Sequence, residues 1–197
     1  MAGLDLGRLN LSELRDPKAI RALAHPRRLE ILAILREGQP YTVSELARAL
    51  NDSTASISYH VHQLAEYGFV ERAPGGRGRN KPWVAPRVWY TFDPEQEHAP
   101  DTMAASKELF DVFIQRAHAT LSQFSKEEHL LPAEWRGAAT TTQDGYWLTI
   151  SEIQKISKTL AEFLEPLSKR SAQDRPDDSA YVEIIFYGLP SPRPGPA

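Results

Sequence analysis

The amino-acid sequence predicts an α+β fold that is mostly helical, in a chain of 197 residues. Three observations lead to this prediction. Helix-start and helix-end signals delimit four short segments before residue 68. Two β-rich runs around a glycine-rich turn follow, and a long amphipathic stretch begins after residue 101. This order indicates an N-terminal domain of short helices with a hairpin, then a long helix, then a small C-terminal α/β domain.

Proline and capping residues mark the first two helices. Asp16-Pro17 is a helix start, because the carboxylate caps free N–H groups and proline loses nothing at the first helical position. His25-Pro26 ends this helix, since the residue before a proline is pushed out of the α region. A second helix then runs to about Glu37, where Gly38 supplies a left-handed turn. Its predicted inward side chains are Leu29, Leu32, Ile34 and Leu35.

The next two helices are separated by a tight polar turn. Thr42 and Glu45 form a capping box, which opens a short helix through Leu50. Asn51-Asp52 makes the turn, and Ser53 caps a helix that runs to Tyr67. The apolar stripe of this helix consists of Ile57, Val61, Leu64 and Ala65. Its opposite face is polar and carries Thr54, Ser56, Tyr59, His62, Gln63 and Glu66.

A β-hairpin is predicted after Gly68. Phe69–Arg72 and Lys81–Val84 form its strands, around a tip at Gly75–Asn80 that is rich in glycine and arginine. Val88–Phe92 is either a further strand or the exit from this hairpin. Helix, turn, helix and hairpin in this order indicate a winged helix-turn-helix, whose second helix enters the DNA major groove.

The chain beyond this domain is predicted to be helical with two β elements. A long helix runs from Thr102 to about Leu130, and a second covers Ile150–Lys169. Thr140–Thr149 is predicted to be a hairpin turning at Asp144-Gly145, and Tyr181–Tyr187 a strand. The inward stripe of the long helix is Leu109, Phe110, Phe113, Ala117, Leu121 and Phe124. That of the second helix is Ile153, Ile156, Leu160, Phe163 and Leu164.

Composition suggests where the domains meet. Residues 1–92 form the winged domain, and residues 93–101, with four acids and two prolines, form a linker. Residues 102–190 are expected to dimerise or to bind an effector, and the Pro/Gly-rich residues 191–197 to be a frayed tail.

The charges are distributed unevenly along the chain. Residues 15–90 carry 12 Lys and Arg against 7 Asp and Glu, whereas residues 91–197 carry 10 against 17. Only the basic half is therefore expected to meet a polyanion.

Several classes of protein are excluded or disfavoured by what the sequence lacks. The absence of cysteine excludes disulfides, thiolate metal sites and cysteine nucleophiles, and it suits the cytoplasm. No stretch approaches the roughly 20 apolar residues of a membrane span, and no signal peptide is expected at the start. No nucleophile elbow, phosphate loop or dinucleotide motif is present, so we expect no enzyme, no catalytic residue and no cofactor.

The winged segment resembles the ArsR-type winged helix-turn-helix family, in its actinobacterial form with an extra C-terminal domain. The resemblance rests on Ala22–Leu32, Ser44–Ala47, Ser58–Val61, Gln63-Leu64, Gly68–Val70 and Gly78–Trp83. It covers about 40% of the chain strongly. A looser match continues through Trp135-Arg136 and Leu148-Thr149. The resemblance implies a transcriptional repressor that binds double-stranded DNA as a homodimer, with Ser53–Tyr67 in adjacent major grooves.

The chemistry of individual side chains supports the same interpretation. Hydroxyls, imidazoles and an amide on the second helix can contact base edges or phosphates. The amides that begin the preceding helix can hold a phosphate, and cations on the hairpin can reach the DNA backbone or minor groove. The candidate DNA contacts are Thr42, Ser44, Ser53, Thr54, Ser56, Tyr59, His60, His62, Gln63, Arg77, Arg79 and Lys81. His60 also borders the core stripe, so a DNA contact and a partly buried positioning role both remain open.

The signal that would control such a regulator is left open by the sequence. A metal-responsive repressor is disfavoured, because His118 and His129 lie eleven residues apart and His118 has no histidine or carboxylate three or four residues further along the helix. A small organic effector, or none, fits better. Large aromatic side chains most often belong to the hydrophobic core. Five of them in the C-terminal domain could instead line an effector pocket, namely Trp135, Tyr146, Trp147, Phe163 and Phe186. A winged module that binds protein instead of DNA is the remaining alternative.

Overall fold

The computed structural model describes residues 11–14, 16–75, 81–86, 89–92, 99–168, 170 and 172–190. It confirms an α+β fold that is mostly helical. The N-terminal part comprises β1 (Leu11–Leu14), α1 (Pro17–Leu23), α2 (Pro26–Arg36), α3 (Val43–Ala49), α4 (Thr54–Glu66), β2 (Glu71–Arg72), β3 (Trp83–Val84) and β4 (Trp89–Phe92). Then follow α5 (Pro100–Glu127), a 3₁₀ turn (Glu128–Leu130), α6 (Ala133–Ala138), α7 (Ile150–Ser168) and a 3₁₀ turn (Ala172–Asp174).

Local capping interactions begin and end the first helices, as predicted. The Asp16 carboxylate accepts a hydrogen bond from the Lys18 N–H at 2.9 Å. Gly38, just beyond α2, has a φ of 88°, which only glycine adopts without strain. One cap was not predicted: His25 Nδ1 accepts the Arg27 N–H at 3.1 Å. A residue expected only to end α1 therefore also begins α2.

One apolar core joins α1 to α4 and the hairpin. Ile20, Ile31, Leu46, Ile57 and Leu64 are each fully enclosed in it. Each such side chain contributes about 1.5–3 kcal/mol relative to leaving it in water. In α2 the prediction was wrong in detail, because Ile31 takes the innermost position and Ile34 is only partly buried.

Two small sheets complete the N-terminal domain. β2 and β3 pair antiparallel, with Arg72 opposite Trp83, and Tyr41 adds a bridge to Trp83. The hairpin is confirmed with shorter strands than predicted, since Phe69 and Val70 enter the core before the pairing begins. Residues 88–92 were predicted to form either a further strand or the exit from the hairpin, and the structure shows a strand there, β4. It pairs in parallel with β1, which was not predicted.

The long helix α5 is attached to the N-terminal domain along its first half. Thr102, Ala105 and Leu109 are buried against that domain, where α5 packs on α1. Arg21 of α1 pairs with Asp101 at 2.6 Å and with Glu108 at 3.5 Å. The helix begins two residues earlier than predicted, with Pro100 in its first turn. The end of the predicted linker is therefore helical, and residues 93–98 lie outside the described residues.

The C-terminal region differs most from its prediction. Residues 139–149 and 181–187 form no strand, so the predicted hairpin and the predicted strand were both wrong. The helix α7 does form, opened by a capping box in which the Glu152 carboxylate accepts the Thr149 N–H at 2.7 Å. None of its residues is buried, although five were predicted inward. A strand exists only through pairing, and within the described chain neither segment has a pairing partner.

The five aromatic side chains considered for a pocket or a core form neither. Trp147 is 77% exposed, and Tyr146 and Phe163 are nearly as open. Trp135 and Phe186 are also partly in contact with solvent. Of the helices described, none combines the length and apolar character that crossing a membrane requires.

Candidate nucleic-acid interface

The turn between α3 and α4 is held by interactions among neighbouring residues. The Thr42 and Glu45 capping box is complete in both directions. Asn51 adopts a φ of 47°, in the left-handed region that asparagine tolerates. The Ser53 hydroxyl accepts the Ser56 N–H at 3.1 Å and so caps α4. These bonds fix where α4 starts, and so which of its side chains point outward.

The outward face of α4 carries the predicted polar residues. Tyr59 is 63% exposed, and Thr54, His62 and Glu66 are exposed with it. Ile57, Val61 and Leu64 form the buried stripe on the other side. Ala55 is also exposed on this face and was not predicted, because an alanine offers no polar signal in a sequence. Its methyl group suits contact with the thymine methyl in the major groove.

Ser56 was predicted to contact DNA, but its hydroxyl is hydrogen-bonded within the protein. Its hydroxyl donates to the Asp52 carboxylate at 3.2 Å, and Arg27 Nε of α2 lies 3.0 Å from the same carboxylate oxygen. Arg27 also donates to the Leu50 carbonyl at 3.3 Å. The Ser53 N–H, then Ser56 and Arg27, hold the pKa of Asp52 below its usual range. Arg27 and Asp52 are therefore positioning residues that join α2 to the turn.

Replacing Arg27 by alanine is expected to lower the free energy of unfolding by about 1–3 kcal/mol. The Asp52 carboxylate is 21% exposed and would lose its cation, and the start of α4 would loosen. Urea denaturation measures the effect. Lys107→Ala is the matched control, because it removes an exposed ion pair with Asp111 and should cost less than about 1 kcal/mol. Equal effects in the two variants would contradict the positioning role.

His62 is held in a defined orientation. Its Nδ1 lies 2.7 Å from the Ser58 carbonyl, so Nδ1 carries the proton and donates it there. Its ring lies edge-on to Trp83 of the hairpin, with centroids 5.6 Å apart. In this tautomer Nε2 is an acceptor, which can receive a hydrogen bond from an amino group on a base.

His60 packs against α2. Its ring centroid lies 4.5 Å from that of His25, and its Nδ1 is buried without a hydrogen-bond partner among the described residues. Burial, the neighbouring His25 and then Arg28 lower the pKa of His60, and burial with Arg28 and Arg27 lowers that of His25. The lowered pKa values favour the neutral form of both rings at pH 7, which makes them poor partners for phosphates. This packing supports the positioning role for His60.

The remaining candidates are divided between α3, α4 and the hairpin. The Glu45 carboxylate accepts both the Thr42 N–H and the Thr42 hydroxyl, so a phosphate contact by Thr42 requires the capping box to open. Ser44 is exposed in the first turn of α3, and Gln63 is partly buried beside Glu66. Lys81 is exposed at the base of the hairpin. Arg77 and Arg79 lie outside the described residues.

Neither a metal site nor an enclosed pocket is found in the part of the chain that the structure describes. There, no three His, Asp or Glu side chains are placed to bind one ion. A shallow groove of about 570 Å³ lies where α3 meets the start of α4, beside Ser44, Arg48 and Thr54. A second shallow groove, of about 470 Å³, lies near the end of α5 beside Thr120, Phe124 and Leu131.

Comparison with known proteins identifies this same region. Residues 23–73 match a protein family described as "Helix-turn-helix domain". The match covers α2 to β2, that is, the supporting helices, the turn and α4. No curated protein matches the chain. The chain therefore contains a helix-turn-helix domain of the kind found in DNA-binding regulators.

Proposed function

We propose that this protein is a cytoplasmic transcriptional repressor that binds a specific double-stranded DNA site as a homodimer. The exposed polar face of α4, on a helix whose other face is locked into the core, carries this proposal. Thr54, Ala55, Ser58, Tyr59 and His62 present hydroxyl, methyl and imidazole groups at helical spacing. Such a face fits the major groove, where each base pair displays its own pattern of donors, acceptors and methyl groups.

The exposed apolar side chains of α5 from Phe110 to Leu121 support the homodimer. Phe110, Phe113, Ile114 and Leu121 are between 38% and 52% exposed on a helix that is otherwise amphipathic. Since the first half of α5 is fixed to α1, two copies joined through α5 would also fix the distance between their α4 helices. A spacing of about 34 Å places both helices in major grooves on one side of the duplex.

We also propose that the C-terminal region controls DNA binding through a small organic ligand. This second proposal is supported by α5, which connects the N-terminal domain to the C-terminal region. The helix is continuous from the ion pairs of Arg21 to the exposed apolar surface near Phe124. A ligand that shifts one α5 against the other would change the spacing of the α4 helices, and hence the affinity for DNA.

Binding to random duplex DNA as salt is raised tests the proposed function. Neutralisation of phosphates makes log K fall with log salt by about 0.9 per contact. Arg77→Ala with Arg79→Ala should lower affinity for all DNA sequences, most strongly at low salt, and flatten the slope by about 1.8, if each arginine meets one phosphate. Fluorescence anisotropy of a labelled duplex measures both quantities.

Lys126→Ala is the control for this experiment, because Lys126 is exposed at the far end of α5. It removes one positive charge away from the proposed interface and should leave the slope unchanged. A wild-type affinity that does not depend on salt would contradict DNA binding. It would favour the alternative that the winged domain binds a protein.

A further inference from the structure

The C-terminal segment, residues 181–187, has the composition of a strand but no strand partner among the residues that the structure describes. Six of its seven residues are β-branched or aromatic, types that favour strands: Tyr181, Val182, Ile184, Ile185, Phe186 and Tyr187. No backbone N–H or C=O of residues 181–190 is hydrogen-bonded to the backbone of another described residue. An apolar segment with free backbone groups is a ready template for pairing with another chain.

The segment is nevertheless held in place at both ends. The Glu183 carboxylate accepts hydrogen bonds from Arg116 Nε and from the Thr120 hydroxyl of α5, each at 3.2 Å. At the other end, Gly188 lies so close to Ile153 of α7 that an added Cβ would be 2.6 Å from its Cδ1. The segment thus lies against α5 and α7 and does not extend freely into solvent.

Between residues 182 and 186 its side chains alternate as those of a half-covered strand do, whereas Tyr181 and Tyr187 at its ends are both exposed. Glu183 and Ile185 are partly buried against the helices. Val182, Ile184 and Phe186, on the opposite side, are 59%, 56% and 46% exposed. Period-two alternation with free backbone groups describes a strand whose edge and outer face both await a partner.

We propose that the C-terminal segment pairs as a β-strand with a second copy of this chain. This inference rests on the homodimer proposed above and adds which part of the chain completes it. A second copy offers two segments that could serve as the partner strand. Its residues 181–187 and its residues 140–148 both lie outside helices and strands. Pairing satisfies the free N–H and C=O groups and covers the exposed row of side chains.

The amount of exposed apolar surface also fits a second copy. Of the 21 large apolar side chains that are exposed among the described residues, all but Tyr59 lie between Met103 and Leu189. At roughly 80 Å² each, half of a typical large side chain, they amount to about 1,600 Å² per chain. Obligate homodimers bury about 2,000–5,000 Å² in total, or half of that per chain. The exposed apolar side chains of the C-terminal half therefore provide as much surface as a stable dimer needs.

Hydrogen exchange and sedimentation on the full-length chain test the proposal together. Sedimentation gives the oligomeric state, and mass spectrometry of peptides spanning residues 181–187 gives amide protection. We expect a dimer whose segment amides are protected at least about 100-fold, as in a paired strand. Ile184→Pro removes one N–H and should raise the dimer dissociation constant at least tenfold and abolish the protection. Ile184→Ala, which keeps the backbone donor, should do much less.

Each other outcome overturns the inference in a recognisable way. A dimer with unprotected segment amides would reject strand pairing while leaving the homodimer intact. Protected amides in a protein that sediments as a monomer would show that the partner strand belongs to the same chain. A monomer with unprotected amides would reject both proposals. Equal dissociation constants for the proline and alanine variants would show that the backbone of the segment does not pair.

Discussion

Replacing Trp83 by alanine is expected to destabilise the N-terminal domain by about 3–5 kcal/mol, the largest effect that we predict. Trp83 is 5% exposed and lies where three elements meet. Its backbone exchanges two hydrogen bonds with Tyr41, at 3.0 and 2.7 Å. The Arg72 guanidinium lies 3.8 Å above its ring, and the ring of His62 packs against its edge. Loss of the indole leaves a cavity between the hairpin and α4.

The matched control is Trp83→Phe. The indole N–H of Trp83 has no hydrogen-bond partner among the described residues, so phenylalanine loses no hydrogen bond there. Phenylalanine keeps most of the apolar volume and should cost less than half as much as alanine. Urea denaturation followed by circular dichroism measures both variants. A Trp83→Ala protein within about 1 kcal/mol of the wild type would show that the hairpin is not anchored through this ring.

Replacing His62 by alanine is expected to reduce the discrimination between the specific site and random DNA by about 10- to 100-fold, or 1–3 kcal/mol. The Ser58 carbonyl holds the Nδ1 proton, so Nε2 is the group left to face a base. Loss of one base contact lowers affinity for the specific site alone, whereas loss of a phosphate contact lowers affinity for every sequence. Sites recovered by selection from a random duplex library supply the specific DNA.

A histidine far from the proposed interface is the control for this measurement. His118 is exposed on α5, and His118→Ala should leave the ratio of the two affinities unchanged. Tyr59→Ala provides a second probe on the same face of α4 and should also lower the ratio. An unchanged ratio in both α4 variants would contradict the assigned recognition face, even if the protein still bound DNA.

Much of the N-terminal fold could be predicted because its signals are local. The caps at Asp16, Thr42 and Ser53 act within three residues, and the stripe Ile57, Val61 and Leu64 depends only on the helical period. β1 was missed because four residues carry little pattern. Its partner, β4, lies 78 positions away in the register Leu11 to Trp89.

The candidate site was predictable in outline but not in its contacts. Polar residues on one face of α4 were visible in the sequence, and the structure exposes that face. The ion pair between Arg27 and Asp52 joins residues of different elements, and nothing in the sequence indicates it. The same holds for the packing of His60 on His25, which supports one of its two predicted roles.

In the N-terminal domain the sequence alone determined closely where helices begin and end and which face of each is apolar, because capping and periodicity act over a few residues. The short helix α6 was not predicted. The sequence did not determine what those faces meet. The structure decided that α5 packs on α1 with its first half, and that in its second half Arg116 and Thr120 bind Glu183 while Ile114 and Leu121 stay exposed. It also decided that residues 139–149 and 181–187 have no strand partner within the described chain. Strand pairing and burial depend on groups distant in sequence, so only the folded arrangement can show whether those groups come together.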